Sequence, residues 1–503
     1  MESRNGEADE LPPRDAGDEA KKHYQEGCPG CRLDETNESN TGIPYLNFFY
    51  IWIVCLTSSL PIQSLFPYIY FMMRDFKIAK QEQDIGFYAG FVGATYFLAR
   101  TVSSVPWGIF ADKYGRKPCI VISIISVIVF STLFGLSTSY WMAIVTRGLL
   151  GLLCGILGPI KAYATEVCRK EHQALAMSVV TSSRAIALVV GPAIGGFLAQ
   201  PAEKYPNIFS NGSIFGRFPY FLPGLVISIL AAGSCIACIW LPETLHFHDN
   251  EKVEAIDEME AQVGDSNLEV GKAKESGCTS TKNLLKNWQL MSAVILYCIF
   301  CLHDTAYLET FSLWAVSSRK FRGLSLTSQD VGIVLAVSGI GVLVYQLAVY
   351  PFIVKYFGPV RPLRPSVVLS ILVLAMYPFM AKLQGLELKL LINIASLLEN
   401  VFSTYAYANK IGYSYYCVQY FAKHRSDNFY ETCADTRTQR YCEWHLSDTD
   451  VIVQRFSWTQ KHMTGLLLPG DQILFLVINS VSIIGLIFTF KPFFSMSDAL
   501  RRS

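Results

Sequence analysis

Apolar residues in this chain gather into long runs separated by short polar stretches. A helix that crosses a bilayer needs about 20 mostly apolar residues. Runs near 45–70, 86–106, 118–138, 141–160, 175–199 and 220–241 meet that length. After a charged gap come 290–316, 331–354, 366–382, 388–408 and 472–490, of which 388–408 is weakened by Glu399 and Asn400. Backbone in lipid must satisfy its own hydrogen bonds, so these runs are expected to be helices. The pattern predicts an all-α polytopic membrane protein. Its parts are a cytosolic acidic tail (1–44), a six-helix half (45–241), a central cytosolic loop (242–289), a second half (290–494) and a short tail (495–503).

Composition agrees with that pattern. Apolar residues make up 51% and charged residues 17% of the 503, against about 25% charged in soluble domains. The mean hydropathy is +0.31. A disordered chain, a coiled coil and a nucleic-acid binder are excluded as the main reading. The formal net charge of +1 hides an asymmetry: residues 1–44 carry −6 and residues 242–289 carry −5, which leaves +12 elsewhere. Short basic loops fix orientation. Lys113, Arg116 and Lys117 (loop 2–3), Arg169 and Lys170 (4–5) and Lys355, Arg361 and Arg364 (8–9) place those loops in the cytosol. The sequon Asn211-Gly-Ser213 then lies outside or in a lumen. The opening residues are polar, so the first apolar run is expected to act as an uncleaved signal-anchor. Several of the 14 cysteines sit inside apolar runs, unlike a disulfide framework.

Three motifs point to a moving bundle. The first is Gly108-x-x-x-Asp112-Lys113-x-Gly115-Arg116-Lys117, in a short loop between two spans. Its glycines permit a tight turn. Asp112 can pair with Arg116 or cap a helix N-terminus, where carboxylates are favoured. The second is Arg147-x-x-x-Gly151-x-x-x-Gly155 in the fourth span. Small residues four apart let helices approach, and an intramembrane Arg faces a cavity or a partner, or else anchors the helix end. The third, Gly191-Pro192-x-x-Gly195-Gly196 in the fifth span, bends the helix and permits close packing.

The seventh span holds His303, Asp304 and Glu309. An intramembrane carboxylate costs about 2.5–3.5 kcal/mol on insertion scales, so Asp304 is the first candidate for proton coupling or cation binding; a polar residue hydrogen-bonded between helices is the plainer reading. Histidine changes charge near neutral pH. Adjacent helical residues point about 100° apart, so His303 and Asp304 cannot both face one cavity fully. Cys28-Pro-Gly-Cys31 supplies two thiolates, whereas a structural zinc site takes four ligands. His246 and His248 lie on the same side and would complete such a set; an incidental cysteine pair is the alternative. A short echo links 105–118 with 349–362, each following the second helix of its half, as in duplicated transporters.

With these stretches together, the chain resembles the plant zinc-induced facilitator-like family of the major facilitator superfamily. The resemblance rests on Cys28 to Cys31, Asp84 to Val92, Trp107 to Lys117, Gly158 to Tyr163, Val189 to Pro201, Arg217 to Pro223 and Leu241 to His246. It implies a twelve-helix, proton-coupled carrier of metal chelators such as nicotianamine or phytosiderophores, contributing to zinc homeostasis. Potassium–proton exchange and auxin-related transport are alternatives within the family. The vacuolar or plasma membrane is the implied location. In the superfamily's antiporter motif a glycine precedes Gly191 by four residues; here that position is Ala187.

One departure is large. Residues 403–456, where the end of helix 10 and helix 11 are expected, hold 12 charged residues in 54 and no long apolar run. This block reads as frame-shifted, mis-spliced or divergent. A missing helix 11 would leave Asp112 without the partner that the superfamily gives it, would set the C-terminus on the opposite side, and would suit a non-transporting membrane protein. The expected partners are membrane lipid, protons and a small-molecule or metal-chelate solute. A monomer without cofactor, nucleic-acid partner or enzyme chemistry is expected. Arg147, Asp304, His303 and Glu309 would handle charge. Gly108, Asp112, Lys113, Gly115, Arg116 and Lys117 would form the gate.

Overall fold

The structure is a computed structural model that describes residues 28–39, 42–245, 288–357, 362–424 and 470–489. Its elements are helical. In the first half they are α1 (Pro29–Ser39), α2 (Tyr45–Gln63), α3 (Ile69–Asp75), α4 (Ile85–Tyr114), α5 (Arg116–Gly135), α6 (Tyr140–Leu153), α7 (Leu157–Glu166) and α8 (Gln173–Leu198). Two single turns, α9 (Pro201–Lys204) and α10 (Ile214–Arg217), precede α11 (Phe221–Ala237). The second half has α12 (Trp288–Val316), α13 (Ser328–Val344), α14 (Tyr350–Phe357), α15 (Leu363–Met380), α16 (Gly385–His424) and α17 (Gly470–Phe488). Every apolar run read from the sequence coincides with one of these helices or with a consecutive pair. Among the described residues, seven helical segments are long and apolar enough to cross a membrane.

Local chemistry explains the breaks. The first span divides after Pro61 and Gln63, where Leu65 N–H donates to Ile62 at 3.2 Å and a turn leads into α3. The fourth span divides at Cys154, between α6 and α7. Gly115 alone separates α4 from α5, with φ of +105°, a region that only glycine enters cheaply. Ser139 opens α6 by accepting from Met142 N–H, and Thr327 and Asp330 form a capping box at α13. Large apolar side chains such as Val102, Ile229 and Leu372 point outward, as a lipid-facing surface requires.

The core is divided. One apolar cluster draws on both halves, joining Phe66, Met72 and Met73 to Phe311, Trp314 and Leu335. A second lies wholly in the first half, around Ile51, Ile124 and Tyr163, and a third wholly in the second, around Phe300, Val367 and Tyr405. The shared cluster sits at the end bearing the turn between α12 and α13. The other two sit at the end bearing Gly115. The halves are therefore packed together at one end and keep separate cores at the other.

The junction is α8 against α13. A Cβ on Gly196 would stand 2.8 Å from Gly332 Cα and from the Ser328 carbonyl oxygen, and one on Gly339 would stand 2.9 Å from the Leu188 carbonyl oxygen. These backbones touch, as small-residue crossings allow.

The second half adds to what the apolar pattern shows. Glu399 and Asn400 weaken the apolar run but not the helix: α16 runs through them, with both side chains buried and partnered. α16 continues into the block 403–456 as far as His424; residues 425–469 lie outside the described residues. The last described helix, α17, runs towards the Gly115 end; residues 490–503 lie outside the described residues. Phe475 meets Trp314 edge to face, and Gly485 packs against Phe300, so α17 ends at the Gly115 end of the bundle.

Gly332→Leu is expected to force α8 and α13 apart at a cost of ~1–3 kcal/mol, read as a lower thermal midpoint of the purified chain. Gly86→Ala, whose Cβ would meet nothing within 4 Å, should not lower it.

Candidate functional site

The loop after α4 is clamped on three sides. Arg116 grips Glu166 of α7 in a fork, Nε to Oε2 at 2.7 Å and Nη2 to Oε1 at 2.6 Å, and lies 3.6 Å from Asp112. Bidentate pairing of this kind fixes direction as well as charge. Glu243, just beyond α11, accepts from the N–H groups of Arg116 (3.1 Å), Lys117 (3.2 Å) and Thr244 (2.9 Å). It therefore caps α5, the task the sequence offered to Asp112. Lys117 Nζ donates to the Ile239 carbonyl at 3.0 Å. The Glu243 carboxylate fills the space a Cβ on Gly115 would need. Lys113 lies beside the Tyr114 ring, and Gly108 is buried in α4. Glu166 and Glu243 were missed in the sequence: each acts on a residue at least 50 positions away, and no local spacing marks them.

Arg147 is buried in α6. Its Nη1 donates to the Pro61 carbonyl at 3.0 Å, and its guanidinium lies 4.1 Å from the Phe134 ring centroid. Leu65 N–H turns to Ile62 at the helix break, which leaves the Pro61 carbonyl open to the arginine. The neighbouring glycines serve packing. Gly151 lies against the Tyr96 carbonyl and Gly155 against the Trp107 ring. In α8, Gly191 and Gly195 seat against Gln63 and Ser64 at the end of α2, while Gly196 meets α13 and the Pro192 carbonyl meets Gly332.

Asp304 and His303 point in different directions, as their adjacency required. Asp304 Oδ1 accepts from Ser403 at 2.8 Å, and its Oδ2 lies 4.0 Å from Arg184 Nη2 on α8. This charge pair spans the two halves. Glu309 also faces the first half, its Oε1 lying 3.2 Å from a Cβ position on Gly93. His303 points into the second half, where its Nε2 lies 3.0 Å from Glu399 Oε1 and its Nδ1 shares a 2.7 Å hydrogen bond with Ser482. Sequence reading missed Arg184, although an arginine inside an apolar run was a signal for it. Between the halves lies a small cavity lined by Gln63, Leu188, Pro192, Leu308, Gly339 and Asn400.

The paired cysteines are buried at the start of α1. Gly30 N–H donates to the Leu245 carbonyl at 3.1 Å, which docks this helix beside the end of the first half. His246 and His248 lie outside the described residues. Among the described residues no three His, Cys, Asp or Glu side chains come together as a metal site.

At the closed end, Lys204 Nζ donates to the Gly196 carbonyl at 2.6 Å and to Ser328 Oγ at 2.8 Å, so it bridges the halves. Burial pushes its ammonium down to about 8 from 10.5. Closure therefore disfavours the charged form. The closed population should rise as pH climbs from about 8 to 10.5 and stay level below about 8, where Lys204 is charged whether buried or not. Spin-label distances between positions 208 and 320 would show this slope, and Lys204→Met should abolish it. Separately, Glu243→Ala should destabilise the chain by ~1–2 kcal/mol through loss of the α5 cap, measured by thermal unfolding.

The sequence pattern of the Major Facilitator Superfamily matches residues 51–427. Among curated relatives, a probable peptide/nitrate transporter of Arabidopsis thaliana is 48% identical over 492 residues, covering 93% of this chain and 96% of that one. Protein ZINC INDUCED FACILITATOR 1 of the same plant is 44% identical over 480 residues, covering 95% and 97%. The fold is similar to that of a D-xylose–proton symporter, with a TM-score of 0.64 at 11% identity, covering 90% of this chain and 98% of that one. The chain is a multi-pass membrane transporter, and it belongs to the zinc-induced facilitator-like family of the Major Facilitator Superfamily.

Proposed function

We propose that this chain is a proton-coupled carrier of small organic solutes bearing both charges, namely metal chelators of the nicotianamine or phytosiderophore type or their zinc or iron complexes. It would thereby contribute to zinc homeostasis from the vacuolar or plasma membrane. The observation that carries this reading is the polarity of the two halves. The spans of the first half hold Arg100, Arg147, Lys161 and Arg184 in their interiors, and those of the second hold Asp304, Glu309 and Glu399. At the meeting plane Arg184 faces Asp304. A solute with carboxylates and an ammonium could exchange with that pair, carboxylate to Arg184 and ammonium to Asp304. Side-chain exposures of 51% for Arg184 and 23% for Asp304 leave the pair open to such a solute.

The divided core supports alternating access. Closure at the α8–α13 end with separate cores at the Gly115 end is one pose of two rocking halves. With the basic loops in the cytosol, this pose faces the cytosol. Arg147 then holds the broken first span in place, and the Arg116–Glu166 and Glu243 contacts keep the first half rigid while it rocks.

The test is uptake of radiolabelled nicotianamine, with and without zinc, into proteoliposomes under an imposed pH gradient. Hydrogen bonds to charged groups contribute about 1.5–3 kcal/mol, so Asp304→Asn should cut flux by roughly ten- to a hundredfold, and reversing the pair (Arg184→Asp with Asp304→Arg) should restore part of it. Wild-type flux from Asp304→Asn, or a gradient without effect on the wild type, would sink the reading.

A further inference from the structure

We propose that the proton this carrier binds is held not at the solute-facing Asp304 but by the buried pair Glu399–His303, inside the second half. The inference rests on the proton-coupled reading above. It names the groups that hold the proton and the route by which they affect the solute site.

The pair sits where four helices meet. His303 comes from α12, Glu399 from α16, Ser370 from α15 and Ser482 from α17. Glu399 is 0% and His303 2% exposed. The Ser370 hydroxyl donates to Glu399 Oε1 at 2.6 Å, and His303 Nε2 approaches the same oxygen at 3.0 Å. Glu399 Oε2 has no hydrogen-bond partner among the described residues. A carboxylate with one saturated and one bare oxygen, deep in a bundle, is poorly accommodated as an anion. It has an open position for one proton.

Charge balance gives the two states. With neutral imidazole and ionised carboxylate the cluster carries −1. One added proton, on Oε2 or on the imidazole, brings it to zero. Ser482 accommodates either form of the ring, because its hydroxyl can donate to a bare Nδ1 or accept from a protonated one. The proton belongs to the pair rather than to one member. The other titratable side chains at this level are Cys301, Asp304 and Tyr307 on α12 and Tyr377 on α15. Tyr307 and Tyr377 bond to each other at 2.8 Å, and Tyr307 donates to Ser396 at 3.2 Å.

The link to the solute site is geometric. Glu399 and Ser403 are one turn apart on α16, and His303 and Asp304 are neighbours on α12. The two helices thus share two adjacent rungs, His303–Glu399 at 3.0 Å and Asp304–Ser403 at 2.8 Å. Adding the proton changes the first rung from a neutral ring beside a carboxylate to an imidazolium–carboxylate pair or a ring beside a neutral acid, and the altered bond shifts α12 against α16. The second rung moves with it, and with that the distance from Asp304 to Arg184 across the halves. Protonation inside one half is thereby felt at the plane between them.

Infrared difference spectroscopy tests this without any solute. The full chain is purified, placed in lipid and stepped from alkaline to acid pH, with deuterium exchange to identify carboxyl bands. The wild type should gain a protonated-carboxyl band that is missing from Glu399→Gln. His303→Gln and Ser370→Ala, which keep the carboxyl, should displace the pH at which that band appears. A full band in Glu399→Gln would overturn the assignment. If that variant fails to fold, an unmoved band in both Ser370→Ala and His303→Gln would overturn it as well. The outcome is separable from the transport reading. A Glu399 band without gradient-driven flux would leave the site standing and remove the coupling. Gradient-driven flux with the proton elsewhere would do the reverse.

Discussion

The two halves of this molecule are joined through backbone contact between α8 and α13, and most of the other features depend on that crossing. Gly196, Gly332 and Gly339 remove the side chains that would hold the helices apart. The resulting approach lets Lys204 reach both halves and builds one apolar core from two. It also fixes the distance at which Arg184 meets Asp304. A wider crossing would open the shared core to lipid or water and separate that charge pair. A crossing of this kind holds by packing and by the two hydrogen bonds of Lys204, so it can also release.

Charges in the spans show how a bundle of this kind stays stable while carrying expensive groups. Arg147, Asp304 and Glu399 each find local partners, but of different kinds in the two halves. The first half uses backbone and ring contacts: Arg147 takes a carbonyl freed at a helix break and the face of Phe134. Its loop end uses carboxylates, with Glu166 and Glu243 holding the start of α5. The second half uses hydroxyls, with Ser370, Ser403 and Ser482 serving its acids and its histidine. A hydroxyl can donate or accept, so the second half tolerates a change of protonation that the first would resist. The rigid element and the responsive element are thus separated by composition.

Much of the architecture was legible in the sequence because hydropathy reports lipid contact directly. Each apolar run became a helix, and the 100° step between His303 and Asp304 foretold their separate surroundings. The failures share one cause. Glu399 was read as a flaw in a span because the partner that makes it tolerable, His303, lies 96 positions away. Glu243 and Arg184 were passed over for the same reason: their value comes from a distant helix end and from the opposite half. Pairing across the fold is a property of distance, which linear spacing does not carry. The packing roles of Gly191, Gly195 and Gly196 were readable, whereas the partner each touches was not.

In the proposed cycle the halves rock about a plane carrying the Arg184–Asp304 pair. The most direct measurement uses pulsed spin-label distances in lipid on a cysteine-depleted background. One label pair, at exposed Tyr114 and Phe357, reports the Gly115 end. The other, at positions 208 and 320, reports the closed end. On addition of zinc and nicotianamine with acidification, the first distance should shorten as the second lengthens. Two distances that stay fixed, or that change in the same sense, would contradict the account.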